Sequence, residues 1–172
     1  MISQISNKKP IHTIDYFNKR NIFFISLSVI ALLMIYSPLK DILWSSVNKD
    51  YYSHIILIPI VSGGLIYWRR KKIFTKLEYS YRSGITLLAI GGALYFIAGA
   101  QEYQLNKNDY SSLITFSGII FWTGGVVLLY GAKAFRAAAF PILFLVFMIP
   151  IPSALMDRTI FLLQAGSAEA PN

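Results

Sequence analysis

Cysteine is absent from the 172 residues. That excludes disulfides, thiolate metal ligands and a cysteine nucleophile within this stretch, and leaves the redox compartment open. Charge is scarce as well. Asp, Glu, Lys and Arg make up 14% of the chain, where a soluble domain carries about a quarter. Hydrophobic residues reach 55%, and mean hydropathy is +0.53. Such a chain lacks the polar surface to cover itself in water, so an integral membrane protein is expected. Acidic residues are the scarcer sign, 8 against 16 Lys and Arg, for a net charge of +8. No basic stripe with interleaved aromatics lies outside the apolar runs. Nucleic-acid binding is therefore not expected, and the basic excess fits the loops of a membrane protein.

Chemistry-bearing patterns are missing too. There is no glycine-rich phosphate loop, no Ser/His/Asp arrangement and no carboxylate pair inside an apolar run. The two histidines, His12 and His54, are too far apart in sequence to suggest a metal site. No catalytic, cofactor-binding or metal-ligating residue is assigned, and no cofactor is expected. Ionisable residues inside spans usually mark ion or proton pathways, so their absence weighs against a transporter or pump.

What is present is a series of uncharged runs: Asn21–Leu39, Tyr51–Trp68, Ser83–Gln101, Tyr110–Ala132 and Ala137–Met156. Each approaches the roughly 20 residues that a spanning helix needs. In hydrocarbon the backbone must pair internally, so these are helices or parts of a closed barrel. Barrel strands alternate polar and apolar residues, and "IFFISLSVIALLMIY" does not. The expected fold is an all-α, polytopic transmembrane bundle of five spanning helices, plus a C-terminal interfacial or partial helix. Residues 1–20 read as a polar cytoplasmic tail and 21–172 as a single transmembrane domain. The first run is too long and too late for a cleaved signal peptide, so a retained anchor is expected.

Basic and balanced connections alternate. The tail carries Lys8, Lys9, Lys19 and Arg20 against Asp15. The loop Lys40–Asp50 balances Lys40 and Lys49 with Asp41 and Asp50. "RRKKIFTKLEYSYR" holds Arg69, Arg70, Lys71, Lys72, Lys76 and Arg82 against Glu78. The next loop has Lys107 against Glu102 and Asp109, and the last has Lys133 and Arg136. The positive-inside rule then predicts a multi-pass protein of the cytoplasmic (inner) membrane, N-terminus in the cytoplasm and Pro150–Pro152 on the outer face. Tyr51, Tyr52, Tyr67, Trp68, Tyr103 and Tyr110 stand where interfacial anchors belong.

Glycine pairs at Gly63–Gly64, Gly91–Gly92 and Gly124–Gly125 suggest close helix packing, with a hinge as the alternative. His54 at the mouth of the second run could serve as a base or as an interfacial hydrogen-bonding residue. Pro59 kinks the same run. Pro150 and Pro152 end the fifth run and re-aim the chain, so that Ser153–Gln164 reads as a surface-lying or re-entrant helix. Asp157 and Arg158 fall on it, about 100° apart, and are not expected to pair with each other.

Two stretches together resemble the exosortase/archaeosortase family. "YYSHIILIPIVSGGLIYWRRKK" is similar to its Ser-His, proline and Trp-Arg-Arg pattern. "AAAFPILFLVFMIPIPSALMDRTIFLLQAGSAEAPN" is similar to its Phe-Pro, then Phe-Met-x-Pro-x-Pro, then a helix into an Ala-rich tail. The resemblance covers the chain from about Tyr51 onward. It implies a membrane cysteine peptidase and transpeptidase that recognises the transmembrane C-terminal sorting signal of an exported protein. The catalytic cysteine, arginine and histidine of such enzymes lie, in that order, beyond the double-proline region. None can be carried onto a position here, and His54 matches the Ser-His stretch, not the catalytic histidine. The ending at Asn172 reads as a truncation, and this piece alone is expected to be inactive. A non-enzymatic scaffold or assembly subunit, and a small transporter, remain as alternatives. The partners implied are the sorting signal and the lipid bilayer.

Overall fold

A computed structural model of the chain describes residues 19–40, 53–74 and 78–168, with backbone alone at 53–56, 154, 167 and 168. The expected tail with His12, the loop residues Asp41, Lys49 and Asp50, and the anchors Tyr51 and Tyr52 lie outside the described residues. Among those described there is no strand. The helices are α1 (Lys19–Met34), α2 (Ser53–Ile73), α3 (Tyr81–Ala100), α4 (Lys107–Ala137), α5 (Ala139–Phe144) and α6 (Ser153–Ala168). A 3-10 turn, Leu145–Met148, extends α5.

The bundle is built around α4, whose buried face mixes small or polar residues (Ser112, Thr115, Ser117, Gly118, Gly124 and Gly125) with apolar ones such as Ile114, Val126 and Leu129. Many large apolar side chains also point outward, among them Phe23, Leu33, Phe96 and Phe147. That distribution suits lipid, where helices associate through close packing rather than through a hydrophobic drive.

Contacts set the direction of each pass. On α1, Asn21 Oδ1 accepts from the Tyr130 hydroxyl at 3.2 Å, and Ser28 Oγ accepts from Trp122 Nε1 at 3.0 Å. Further along, Ile35 packs on Gly118, so α1 runs antiparallel to α4. On α3 the order is likewise reversed, with Gly84 against Leu128, Leu88 against Gly124 and Gly91 against Phe121. α2 runs with α4: Ile58 clusters with Ile119 and Met148, and Ile73 with Tyr130, Ala134 and Ile142. α5 and the 3-10 turn return from Ile142 to Met148. The described helices α1 to α4 therefore run between two ends in alternating directions, and the shorter α5 segment turns back again.

Charge sorts onto those ends. One, the basic end, collects Lys19, Arg20, Arg69, Arg70, Lys71, Lys72, Arg82, Lys133 and Arg136, with Glu78 as its one acid among the described residues. The other, the neutral end, holds the Gln101–Asn106 connection and the Pro150–Pro152 corner. Glu78 pairs with Lys133 at 2.8 Å, an exposed contact of little energetic weight. At the same end Gly131 (φ +89°) breaks α4, and a Cβ there would run into the Glu78 carbonyl oxygen. Glycine alone adopts that conformation without strain.

Two of the five expected spans, α3 and α4, are helices long and apolar enough to cross a bilayer by length and composition. α1 has 16 residues and continues past a turn at Ile35 as a helical piece to Lys40. α2 has 21 but ends in four consecutive cations, Arg69 to Lys72. The fifth run, Ala137–Met156, ends as a helix before its prolines, as expected, but is not continuous above them. It is interrupted at Ala138, tightens into the 3-10 turn and becomes extended at Ile149. The segment Ala139–Met148 then covers roughly 17 Å, about half of a hydrocarbon core. Proline explains the lower break: Pro150 and Pro152 offer no backbone donor and push their predecessors out of the helical region.

Candidate functional site

At the neutral end the twin-proline corner is clasped to the first turn of α4. The local cause is a helix cap. Asn106 sits at the N-cap, and its Oδ1 accepts from the Asp109 amide at 2.8 Å. Asx residues at this position satisfy one of the amides that a helix start leaves unpaired. Asp109 thus stands in the first turn of α4, not in a loop as its sequence context suggested, and its charge suits the helix N-terminus.

From there the clasp reaches across more than forty residues. Asp109 Oδ1 accepts from the Ser153 amide and Oδ2 from the Ser153 hydroxyl, both at 2.6 Å. Asn106 Nδ2 donates to Ser153 Oγ at 2.8 Å and to Asp109 Oδ2 at 3.0 Å. The Asp109 carboxylate therefore caps the start of α6, while Asn106 caps the start of α4. The corner's stranded carbonyls are met as well. Asn108 Nδ2 donates to Ile151 O at 2.6 Å. Ser112 Oγ lies 2.7 Å from Pro150 O and 2.8 Å from Asn108 O, one hydroxyl hydrogen shared between two carbonyls. The prolines free these carbonyls from helical pairing, and side chains of α4 satisfy them.

Asp109 precedes the uncharged run Tyr110–Ala132, so it faces the aqueous boundary. The Ser153 hydroxyl and then the Ser153 amide hold its carboxyl below the usual value of 3.8, with Asn106 adding to the effect and slight burial opposing it.

Beside the clasp, α2 and α5 leave an apolar pocket of about 310 Å³, lined by Leu57, Ile58, Val61, Phe144 and Phe147. On the same helix Gly63 and Gly64 face open space. The arrangement offers a greasy groove near a polar, water-facing corner. No group of three or more potential metal ligands occurs among the described residues.

His54 lies on the first turn of α2 and Pro59 inside that helix. The site as described is built without either. Asp157 and Arg158 are exposed on the second turn of α6, with no hydrogen-bond or ion-pair partner among the described residues. The clasp residues Asn106, Asn108, Ser112 and Ser153 went unnoticed in the sequence. A signal was there: Asn-x-x-Asp immediately before an apolar run is a helix-start pattern. The partnership with Ser153 had no local signal.

Residues 44–170 match the family model described as transmembrane exosortase. The chain belongs to the transmembrane exosortase family. This exosortase domain covers α2 to α6, the groove and the whole clasp, and it is a membrane domain. No curated protein and no solved structure matches the chain.

Proposed function

We propose that this exosortase-family chain forms the substrate-holding part of a membrane peptidase and transpeptidase that processes C-terminal sorting signals at the outer face of the cytoplasmic membrane. In this reading all five passes cross the bilayer, the N-terminus and the basic end face the cytoplasm, and the Pro150–Pro152 corner faces outward. The shorter helices span with the help of their flanking turns and of local thinning, which costs only fractions of a kcal/mol per Å. A substrate helix lies along the apolar groove between α2 and α5, where Gly63 and Gly64 permit close approach.

The observation that carries the reading is the clasp. It fixes a rigid, non-helical corner at the end opposite the cations, beside an apolar groove, and it aims the following chain. A thiolate supplied by further sequence would attack a peptide carbonyl there, with a cation stabilising the oxyanion and a histidine activating the thiol. Without a cysteine in these 172 residues, the chain on its own cleaves nothing by that chemistry. The test is a cleavage assay on a membrane-anchored sorting-signal reporter, comparing the 172-residue chain with its gene read beyond Asn172. Cleavage by a longer product that contains a cysteine, and none by the 172-residue chain, is expected. Cleavage by the 172-residue chain itself overturns the assignment of the nucleophile.

A further inference from the structure

At the basic end, Arg20 is out of balance with its surroundings. Its Nε is buried and has no hydrogen-bond partner. The guanidinium stands 5.5 Å from the centre of the Tyr130 ring. Tyr130 is boxed edge-on by Phe24 at 5.0 Å and Phe74 at 5.2 Å, and its hydroxyl is used on Asn21. The single acid of this end among the described residues, Glu78, is bonded to Lys133. Arg20 as a whole is half-buried, so an anion from outside can approach its guanidinium and offer the acceptor it lacks.

We propose that Arg20, flanked by the basic end of α2, binds the phosphate of an anionic phospholipid. The end of α2 comes near Arg20 through a shared ring: Phe74 packs on Tyr130, over which Arg20 also stands. The terminal nitrogens of Arg20 are not among the buried, unpartnered atoms, and the guanidinium fork they form matches phosphate geometry as an ammonium does not. The ligand is a lipid rather than a free anion because apolar surface continues directly from the charge. Ile22 and Phe23, on the same turn of α1, are 49% and 65% exposed, and Trp68 on α2 is 80% exposed. An acyl chain lies along the first two, and indole belongs at headgroup depth. Among the described residues the only cations at the neutral end are Lys40, Lys107 and, on α6, Arg158.

The test uses the chain in phosphatidylcholine nanodiscs with and without phosphatidylglycerol, read by native mass spectrometry of retained lipid. The wild-type chain is expected to retain phosphatidylglycerol in preference to phosphatidylcholine. A juxtamembrane cation contributes about fivefold in affinity. Arg20→Gln should therefore lose about fivefold or more in retention, Arg20→Lys should lose part, and Arg82→Gln, the same charge change on α3, should retain it. Equal losses for Arg20→Gln and Arg82→Gln would reduce the effect to general charge attraction and overturn the site. Displacement of the lipid by inorganic phosphate would reassign the site to a free anion. Should Arg20→Gln not fold, a photoreactive phosphatidylglycerol on the wild-type chain decides. Label on the first turns of α1 supports the site, and label confined to α3 refutes it.

Discussion

Gly91 and Gly92 are neighbours in sequence and opposites in space. A Cβ on Gly91 would stand 2.6 Å from the Phe121 amide nitrogen, whereas one on Gly92 would meet nothing within 4 Å. Gly124 answers from the other side, 2.7 Å from the Leu88 amide. Backbone cannot give way as a side chain can, so a larger residue at either contact forces α3 and α4 apart. Gly91→Leu and Gly124→Leu are each expected to destabilise the bundle by about 1–3 kcal/mol or more, while Gly92→Leu stays close to wild type. Thermal melts in one detergent check this, and matching midpoints for Gly91→Leu and Gly92→Leu would show that the contact is misassigned. The glycine pairs were visible in the sequence, but the contacting member was not. It depends on the rotation of α3 about its axis, which only the partner helix sets. Gly84 and Gly118, single glycines with equally close neighbours, carried no pair to draw attention.

Among the elements, α6 depends most on one side chain. Its residues Leu155, Phe161, Leu162 and Leu163 are 60–69% exposed, and the bonds that tie it to α4 converge on Asp109 and Asn106 at its N-terminus. Asp109→Asn keeps the shape and removes the charge that accepts two donors from Ser153. The expected result is faster amide exchange in α6 and easier proteolysis at the Pro150–Pro152 corner, with α3 and α4 unchanged. The same carboxyl makes the clasp sensitive to acid. Its folded-state value lies below the ordinary one, so its contribution is complete above pH 3.8 and fades as pH falls below that through the lowered value. Exchange of α6 amides should rise over that acidic range in wild type and be flat in Asp109→Asn. A wild-type profile as flat as the variant's would remove Asp109 from this role. The prolines announced the break below Met148, but Gly131 and Ala138 interrupt the helix without a comparable warning. Ala138 has ordinary helix-forming chemistry, and in the structure it is buried in one cluster with Ile73 and Tyr130.

For the whole molecule, the test is sidedness. Reporter fusions at Thr75, in the basic connection, and at Gln104, in the neutral one, are expected to report opposite sides of the membrane, with Thr75 inside. The same side for both would dismantle the five-pass arrangement, since α3 alone separates them. Composition and the spacing of Lys and Arg by themselves determined that the chain is helical, that it belongs in a membrane and that its cations alternate from loop to loop. These properties follow from transfer free energies of individual residues, which add along a chain regardless of its partners. Tertiary structure alone decided that Gly91 and not Gly92 is in contact, that the fifth run also breaks at Ala138, and that the Asp109 carboxylate reaches Ser153 across the neutral end. Those depend on register between helices distant in sequence, and register is set by shape and hydrogen-bond geometry that no local pattern encodes.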